Sequence, residues 1–298
     1  MDIRGIFPAL VTPFASDESL SLAAVKENIC RYNQTSVAGY VVLGSTGESV
    51  MLSREEADAI LAAAKEAAAP PKLLIAGTGS ESTAETIVRT KRAAVLGYPV
   101  ALVKTPYYYK PVYRAETYLR HYRAVADASP IPILLYSVPQ FTGITLETPE
   151  ILTLAAHPNI LGIKDSSGNV QRIGEIVAGA PSDFRVLTGG AAVIYPALAV
   201  GASGAVLALA AALPEKCAEL YDLVQRGQHE QARQLQHLLV QASKRIVGEN
   251  GIAGVKYAMD LRGFLGGLPR LPLLPLTEEK KHSIADTIAQ LHPAVARV

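Results

Sequence analysis

Tryptophan is absent from this chain, cysteine occurs twice, and neither sign of charge prevails, with 28 basic against 27 acidic side chains. Each shortage excludes something. Near-neutral charge gives no global field to attract nucleic acid or an anionic membrane surface, so an anionic substrate has to be held by a local site. Cys30 and Cys217 lie inside helical patterns without a CxxC partner. Neither a disulfide framework nor a zinc cage is indicated, and both thiols are expected to be buried and inert. No apolar run reaches membrane-spanning length, and the opening MDIRGIFPALVTPF lacks the apolar stretch and cleavage site of a signal peptide. A cytoplasmic protein with no membrane partner is therefore expected.

What the sequence does contain is rhythm. Short apolar or β-branched runs (GIFPALV, GYVVLG, KLLIAG, YPVALVK, IPILLY, NILGIK, FRVLTG, SGAVLA) alternate with longer helical patterns. Eight nearly unbroken apolar strands are what a parallel sheet covered by helices on its outer face requires, and eight is the count that closes a barrel. The fold expected is an α/β (β/α)8 TIM barrel with a C-terminal helical extension. A doubly wound open sheet would carry GxGxxG at its first helix, which is missing; Gly77-Thr78-Gly79 after the third strand lacks the third glycine and reads as a turn. Ser53 followed by Glu56 fits a capping box, and Gly97 closes a helix. After Gly227 helical patterns follow one another from His229, Ile252 and Glu278 with no strand between. A barrel over 1–226 holding the active site and a helical domain over 227–298 are therefore expected, with the proline-rich stretch Gly266 to Pro275 as a wrapped linker.

In such a barrel the active site lies where the strands end. Those ends carry Gly44-Ser45-Thr46-Gly47-Glu48-Ser49, Lys104-Thr105-Pro106-Tyr107-Tyr108, Tyr136-Ser137, Lys164-Asp165-Ser166-Ser167-Gly168 and Thr188-Gly189-Gly190. None of the six histidines falls at a strand end. This inventory disfavours a zinc site or a Ser-His-Asp triad and suits imine chemistry, in which a desolvated amine attacks a carbonyl and a phenol moves protons. No metal or organic cofactor is required. A lysine at the mouth also serves as a plain carboxylate binder, and the spacing leaves open whether Lys104 or Lys164 is the nucleophile. Backbone N–H groups of the Gly-Ser-Thr-Gly loop, with the Ser45 and Thr46 hydroxyls, would make a nest for a carboxylate, although such a loop also makes an ordinary turn. Tyr107, Tyr108 and Tyr109 have packing or interface roles as their alternative.

GSTGES, TPYYYKP, LLYSVPQFTG and GIKDSSG, in that order and spacing, resemble the dihydrodipicolinate synthase and N-acetylneuraminate lyase superfamily, over nearly the whole chain. The resemblance implies that Lys164 forms the Schiff base with a 2-oxo acid, pyruvate, and that Tyr136 relays protons at the imine. It implies further that Ser45 and Thr46 hold the pyruvate carboxylate and continue the relay, and that Tyr108 completes the proton path by reaching into the site of a neighbouring subunit of a homo-oligomer, dimer or tetramer. Lys104 is then a substrate-facing or salt-bridged lysine. Ser166, Gly189, Val206 and Phe141 are expected to line the substrate site.

Within the superfamily, the synthases carry an arginine in the loop after the tyrosine to grip the aldehyde's carboxylate, and here Phe141 takes that slot. An apolar ring cannot replace a guanidinium. Leu135-Tyr136-Ser137-Val138-Pro139, His157-Pro158-Asn159-Ile160, Lys164-Asp165-Ser166, Gln234-Leu235-Gln236-His237 and Gly254-Val255-Lys256 are similar to the 4-hydroxy-2-oxoglutarate aldolases. Cleavage of a 2-oxo-4-hydroxy acid to pyruvate and an aldehyde is the expectation. Condensation of pyruvate with aspartate semialdehyde is its alternative, and sugar-acid aldolases or dehydratases remain open. A non-catalytic scaffold that binds a 2-oxo acid would have no use for the nucleophile.

Overall fold

The computed structural model describes residues 3–291. Its strands are β1 (Gly5–Pro8), β2 (Gly39–Val42), β3 (Leu73–Gly77), β4 (Val100–Lys104), β5 (Ile133–Ser137), β6 (Ile160–Asp165), β7 (Arg185–Thr188) and β8 (Gly204–Leu207). They run parallel in the order β1-β8-β7-β6-β5-β4-β3-β2. The remaining gap is closed by Ala38 N–H donating to Ile6 O and Leu10 N–H donating to Val41 O, both at 2.9 Å. All eight expected strands are present, and the sheet closes into the expected barrel. β1 is shorter than its apolar run, because from Ala9 the chain keeps only a single bridge, to Val41.

Side-chain alternation sets which residues face the axis. Val100 and Leu102, Leu134 and Tyr136, Leu187 and Val206 join Phe7, Val41 and Ile75 in the interior cluster. Their neighbours Ala101, Val103, Leu135, Ile163 and Val186 point outward onto Tyr122, Val125, Ile151, Leu154, Ile173 and Ile176 of the surrounding helices. Burial on both faces explains why the strands read as unbroken apolar runs.

The helices start and stop largely where the sequence signals them. Ser53 Oγ accepts from Glu56 N–H at 3.2 Å while Ser53 N–H donates to Glu56 Oε2 at 2.9 Å, completing the capping box of helix Arg54–Ala67. Gly97 ends helix Thr83–Val95 with a φ of 82° that suits glycine. One expectation fails: Cys217 is buried, but Cys30 is exposed. Helix Leu22–Asn33 buries Ala24, Val25, Asn28, Ile29 and Tyr32, and at about 100° per residue Cys30 falls on the opposite face of the helix.

Beyond β8, helix Pro214–Gln225 is followed by His229–Ala242, a π-helical turn at Ser243–Gly248, Gly251–Leu261 and Glu278–Leu291. Leu235, Leu239, Ile246, Val255, Met259 and Ile284 share one apolar cluster with Leu10, Ile29, Tyr32 and Leu220. Between the last two helices the chain is irregular and crosses the barrel mouth, where Leu268 N–H donates to Phe14 O at 3.1 Å. Among the described residues no helix is long and apolar enough to cross a membrane.

Candidate active site

Three inward side chains share one rung at the carboxyl end of the barrel, since Lys104 pairs in register with Tyr136 and Tyr136 with Lys164. Lys164 is buried, and its ammonium lies over the Tyr136 ring, 4.1 Å from the centroid. The Tyr136 hydroxyl is 3.4 Å from Ser45 Oγ. An amine, a phenol and a serine hydroxyl taken from three strand ends thus meet. A cavity of ≈ 260 Å³ opens onto Ser45 and Tyr136 and is lined also by Leu102, Lys104, Phe141 and Thr142 among others, while Lys164, Thr46, Ser166, Gly189 and Val206 are not among its lining residues. This volume suits a small acid and its reaction partner.

The loop that brings Ser45 to the cavity is held from below. Gly47 N–H donates to Gly44 O and Glu48 N–H to Ser45 O, both at 3.1 Å, while Thr12 Oγ1 donates to Gly47 O at 2.6 Å. Glu48 closes the turn in the left-handed region, at φ 54°. Its carboxylate is wholly buried, with Oε1 2.6 Å from Lys256 Nζ and Oε2 accepting from Arg270 N–H at 2.9 Å. Lys256 also donates to Thr12 O at 2.7 Å and Leu268 O at 2.6 Å. Burial draws the Lys256 pKa below its usual range, against the opposing pull of Glu48. The sequence reading gave Glu48 and Lys256 no role. A usable signal was present, because Lys256 stands among buried neighbours in the apolar helix Gly251–Leu261, where a cation needs a partner.

The end of β6 is fixed in a similar way. Asp165 accepts from Ser167 N–H at 2.9 Å through Oδ1 and from Arg172 Nε at 2.9 Å through Oδ2, and Arg172 donates further to Leu146 O. Gly189 N–H donates to Asp165 O at 2.7 Å. A Cβ at Gly189 would stand 1.8 Å from Ser166 Oγ, so glycine is what lets these two strand ends close up. Val206 is fully buried in the interior cluster with Tyr136 and Leu187, an apolar wall and not a polar contact. Thr46 is buried next to Ser45.

Tyr108 and Phe141 both stand toward solvent. Tyr108 is 71% exposed, packed edge-on against Tyr109 at 5.0 Å, and does not line the cavity of its own chain. Phe141, on the turn Pro139–Thr142, lines the cavity although it is 63% exposed. Lys104 bonds Glu81 at 3.0 Å, and Glu81 accepts from the N–H groups of Tyr107 and Tyr108, both at 2.8 Å. Burial would raise the pKa of Glu81, but these bonds outweigh it and hold the carboxyl below its ordinary range. Among the described residues no group of three or more His, Cys, Asp or Glu side chains converges to hold a metal ion.

Residues 2–291 match the Dihydrodipicolinate synthetase family. The chain is 37% identical over 289 residues to 4-hydroxy-tetrahydrodipicolinate synthase of Archaeoglobus fulgidus, covering 97% of this chain and 98% of the relative. Its fold superposes on the crystal structure of dihydrodipicolinate synthase from Bacillus anthracis with a TM-score of 0.93 and 30% identity over 100% of both chains. The chloride-inhibited synthase from Acinetobacter baumannii, complexed with pyruvate, matches with a TM-score of 0.91 and 30% identity over 96% of this chain and 98% of that one.

Proposed function

The chain belongs to the dihydrodipicolinate synthetase family, and from that premise we propose that Lys164 condenses with the keto carbon of pyruvate and that the resulting enamine joins an aldehyde. Members of this family are class I lyases acting through a Schiff-base lysine, and this chain is a carbon–carbon lyase of that kind. The observation that carries the proposal is the convergence of a buried Lys164 with Tyr136 and Ser45. The lysine Nζ adds to C2 of pyruvate and water leaves, giving a protonated imine. Loss of a proton from C3 yields the enamine, whose C3 attacks the aldehyde carbon, and the new alkoxide takes a proton. Tyr136 and Ser45 are the relay, Thr46 helps hold the carboxylate, and Ser166, Gly189 and Val206 shape the wall behind the imine. In an assembled homo-oligomer of the cytoplasm, Tyr108 would extend the relay into a neighbour's site, which fits its exposure here.

For the aldehyde, kinship along the whole chain with 4-hydroxy-tetrahydrodipicolinate synthases favours condensation with aspartate semialdehyde. That reverses the order expected from the sequence. Cleavage of 4-hydroxy-2-oxoglutarate, aldol chemistry run backward, is kept as a second reading by one observation: Phe141 stands in the loop 139–142 where the synthases carry an arginine.

Borohydride reduction in the presence of pyruvate is expected to add the reduced-imine mass to the peptide containing Lys164 and to no other. Lys164→Arg should abolish both trapping and turnover, since guanidinium stays protonated. Labelling at Lys104 would reassign the nucleophile. Assays with aspartate semialdehyde and with 4-hydroxy-2-oxoglutarate then decide between the two acceptors.

A further inference from the structure

Whichever acceptor is used, it brings a second carboxylate into a cavity whose loop 139–142 holds no positive charge, and an unpaired carboxylate there would be costly. Thr142 cannot substitute. Its hydroxyl already donates to Val138 O or Ile144 O, each at 3.1 Å, and accepts from Ile144 N–H at 3.2 Å. Among the residues lining the cavity, Lys104 is the one basic side chain.

Its placement is specific. Lys104 lies on the same rung as Tyr136 and Lys164, so its Cα is two interstrand spacings, about 10 Å, from that of Lys164. It also follows Val100 and Leu102 in the inward parity of β4. Gly79 clears a path for its stem, because a Cβ there would meet Lys104 N at 2.4 Å and Cγ at 2.8 Å. The ammonium stands 4.8 Å from the centroid of the Tyr107 ring and bonds Glu81 Oε1 at 3.0 Å. An ammonium has three donors, so the Glu81 bond leaves two for a ligand. Glu81 is tied to the backbone of Tyr107 and Tyr108, which fixes the ammonium without covering it.

We propose that Lys104, held by Glu81, is the specificity-determining residue that binds the distal carboxylate of the acceptor, in place of a cation on the loop carrying Phe141. This rests on the imine reading but not on the choice between the two acceptors. Because Glu81 already neutralises it, Lys104 selects by directed hydrogen bonds more than by net charge, and acts on recognition of the acceptor, not on imine formation.

The test compares wild type with Lys104→Met, which keeps the apolar stem, and with Lys104→Gln as a second variant. Pyruvate trapping by borohydride is measured alongside kcat/KM for aspartate semialdehyde, 4-hydroxy-2-oxoglutarate and the neutral aldehyde propanal. Binding of succinate to the borohydride-reduced pyruvyl enzyme gives a readout independent of turnover. Loss of one charge-assisted bond is expected to weaken succinate and to lower kcat/KM for the acidic substrate about 10- to 100-fold, mainly through KM. Trapping and the propanal reaction should hold near wild type. Normal trapping with unchanged succinate binding, or equal losses for acidic and neutral substrates, overturns the proposal alone. A wild type that traps no pyruvate overturns the imine reading and this proposal with it.

Discussion

His121 illustrates what one side chain near the mouth can do. It sits buried on helix Ala115–Ala128 with Nδ1 2.9 Å from Thr83 Oγ1, and Nε2 has no hydrogen-bond partner. Burial pulls its pKa from an ordinary 6.5 to about 4, with Glu81 opposing the shift and Lys104 adding to it. A base with a depressed pKa in the folded state is neutral there while the unfolded chain still takes up a proton. The stability it confers is therefore complete above about pH 6.5 and is lost as pH falls toward 4, amounting to about 3 kcal/mol. Urea midpoints at pH 7 and pH 4.5 should diverge less in His121→Gln than in wild type. An undiminished difference would show that His121 does not set the slope, which depressed carboxyls such as Glu81 add to only below about pH 4.5. The placing of such a histidine was not legible in the sequence, where His121 is one polar residue in an amphipathic helix. Lys164, Tyr136 and Ser45 were legible because the end of a barrel strand is a position that can be counted.

Among the elements, helix Gly251–Leu261 is the one whose role the sequence conceals. It packs like any amphipathic helix, yet its Lys256 reaches past Thr12 to the carboxylate of Glu48 and so braces the Ser45–Thr46 turn from outside the sheet. Breaking a buried pair by removing one partner typically costs about 3–5 kcal/mol, because the other charge is left stranded. Lys256→Met should lose stability on that scale in urea unfolding, and the KM for pyruvate should rise as the turn loosens. Adding Glu48→Gln should recover part of the stability. A double variant no more stable than Lys256→Met would mean that the pair is not coupled. The helix itself was foreseen, from Ile252 to Leu261, but its partner lies more than 200 residues away in the chain, and helical periodicity carries no information over that distance.

For the molecule as a whole, the question is whether residues 227–298 stand apart. The turn at Gly227, with φ 70°, is where helix Pro214–Gln225 hands over to His229–Ala242. We propose that residues 227–291 form a helical unit that folds only on the barrel, residues 292–298 lying outside the described ones, because Leu239, Ile246 and Met259 complete the same cluster as Leu10, Ile29 and Tyr32. A chain ending at Arg226 would expose that cluster and is expected to be insoluble or to lack a cooperative thermal transition. A soluble 1–226 fragment with native circular dichroism would establish an independent barrel. Light scattering of the full chain addresses assembly, for which exposed Tyr108, Tyr109 and Val112 form an apolar patch beside the mouth.

The sequence by itself determined the eight strands, most helix limits and the amino acids that end each strand, because strand and helix periodicities, caps and glycines act within a few residues of one another. It also marked the missing guanidinium at Phe141. Only the tertiary structure decided that Lys104, Tyr136 and Lys164 share a rung, that Lys104 is paired with Glu81, and that the carboxylate loop leans on Lys256. Those facts depend on barrel register and on contacts between distant segments. They are set by closure of the sheet and the burial of charge, neither of which local sequence encodes.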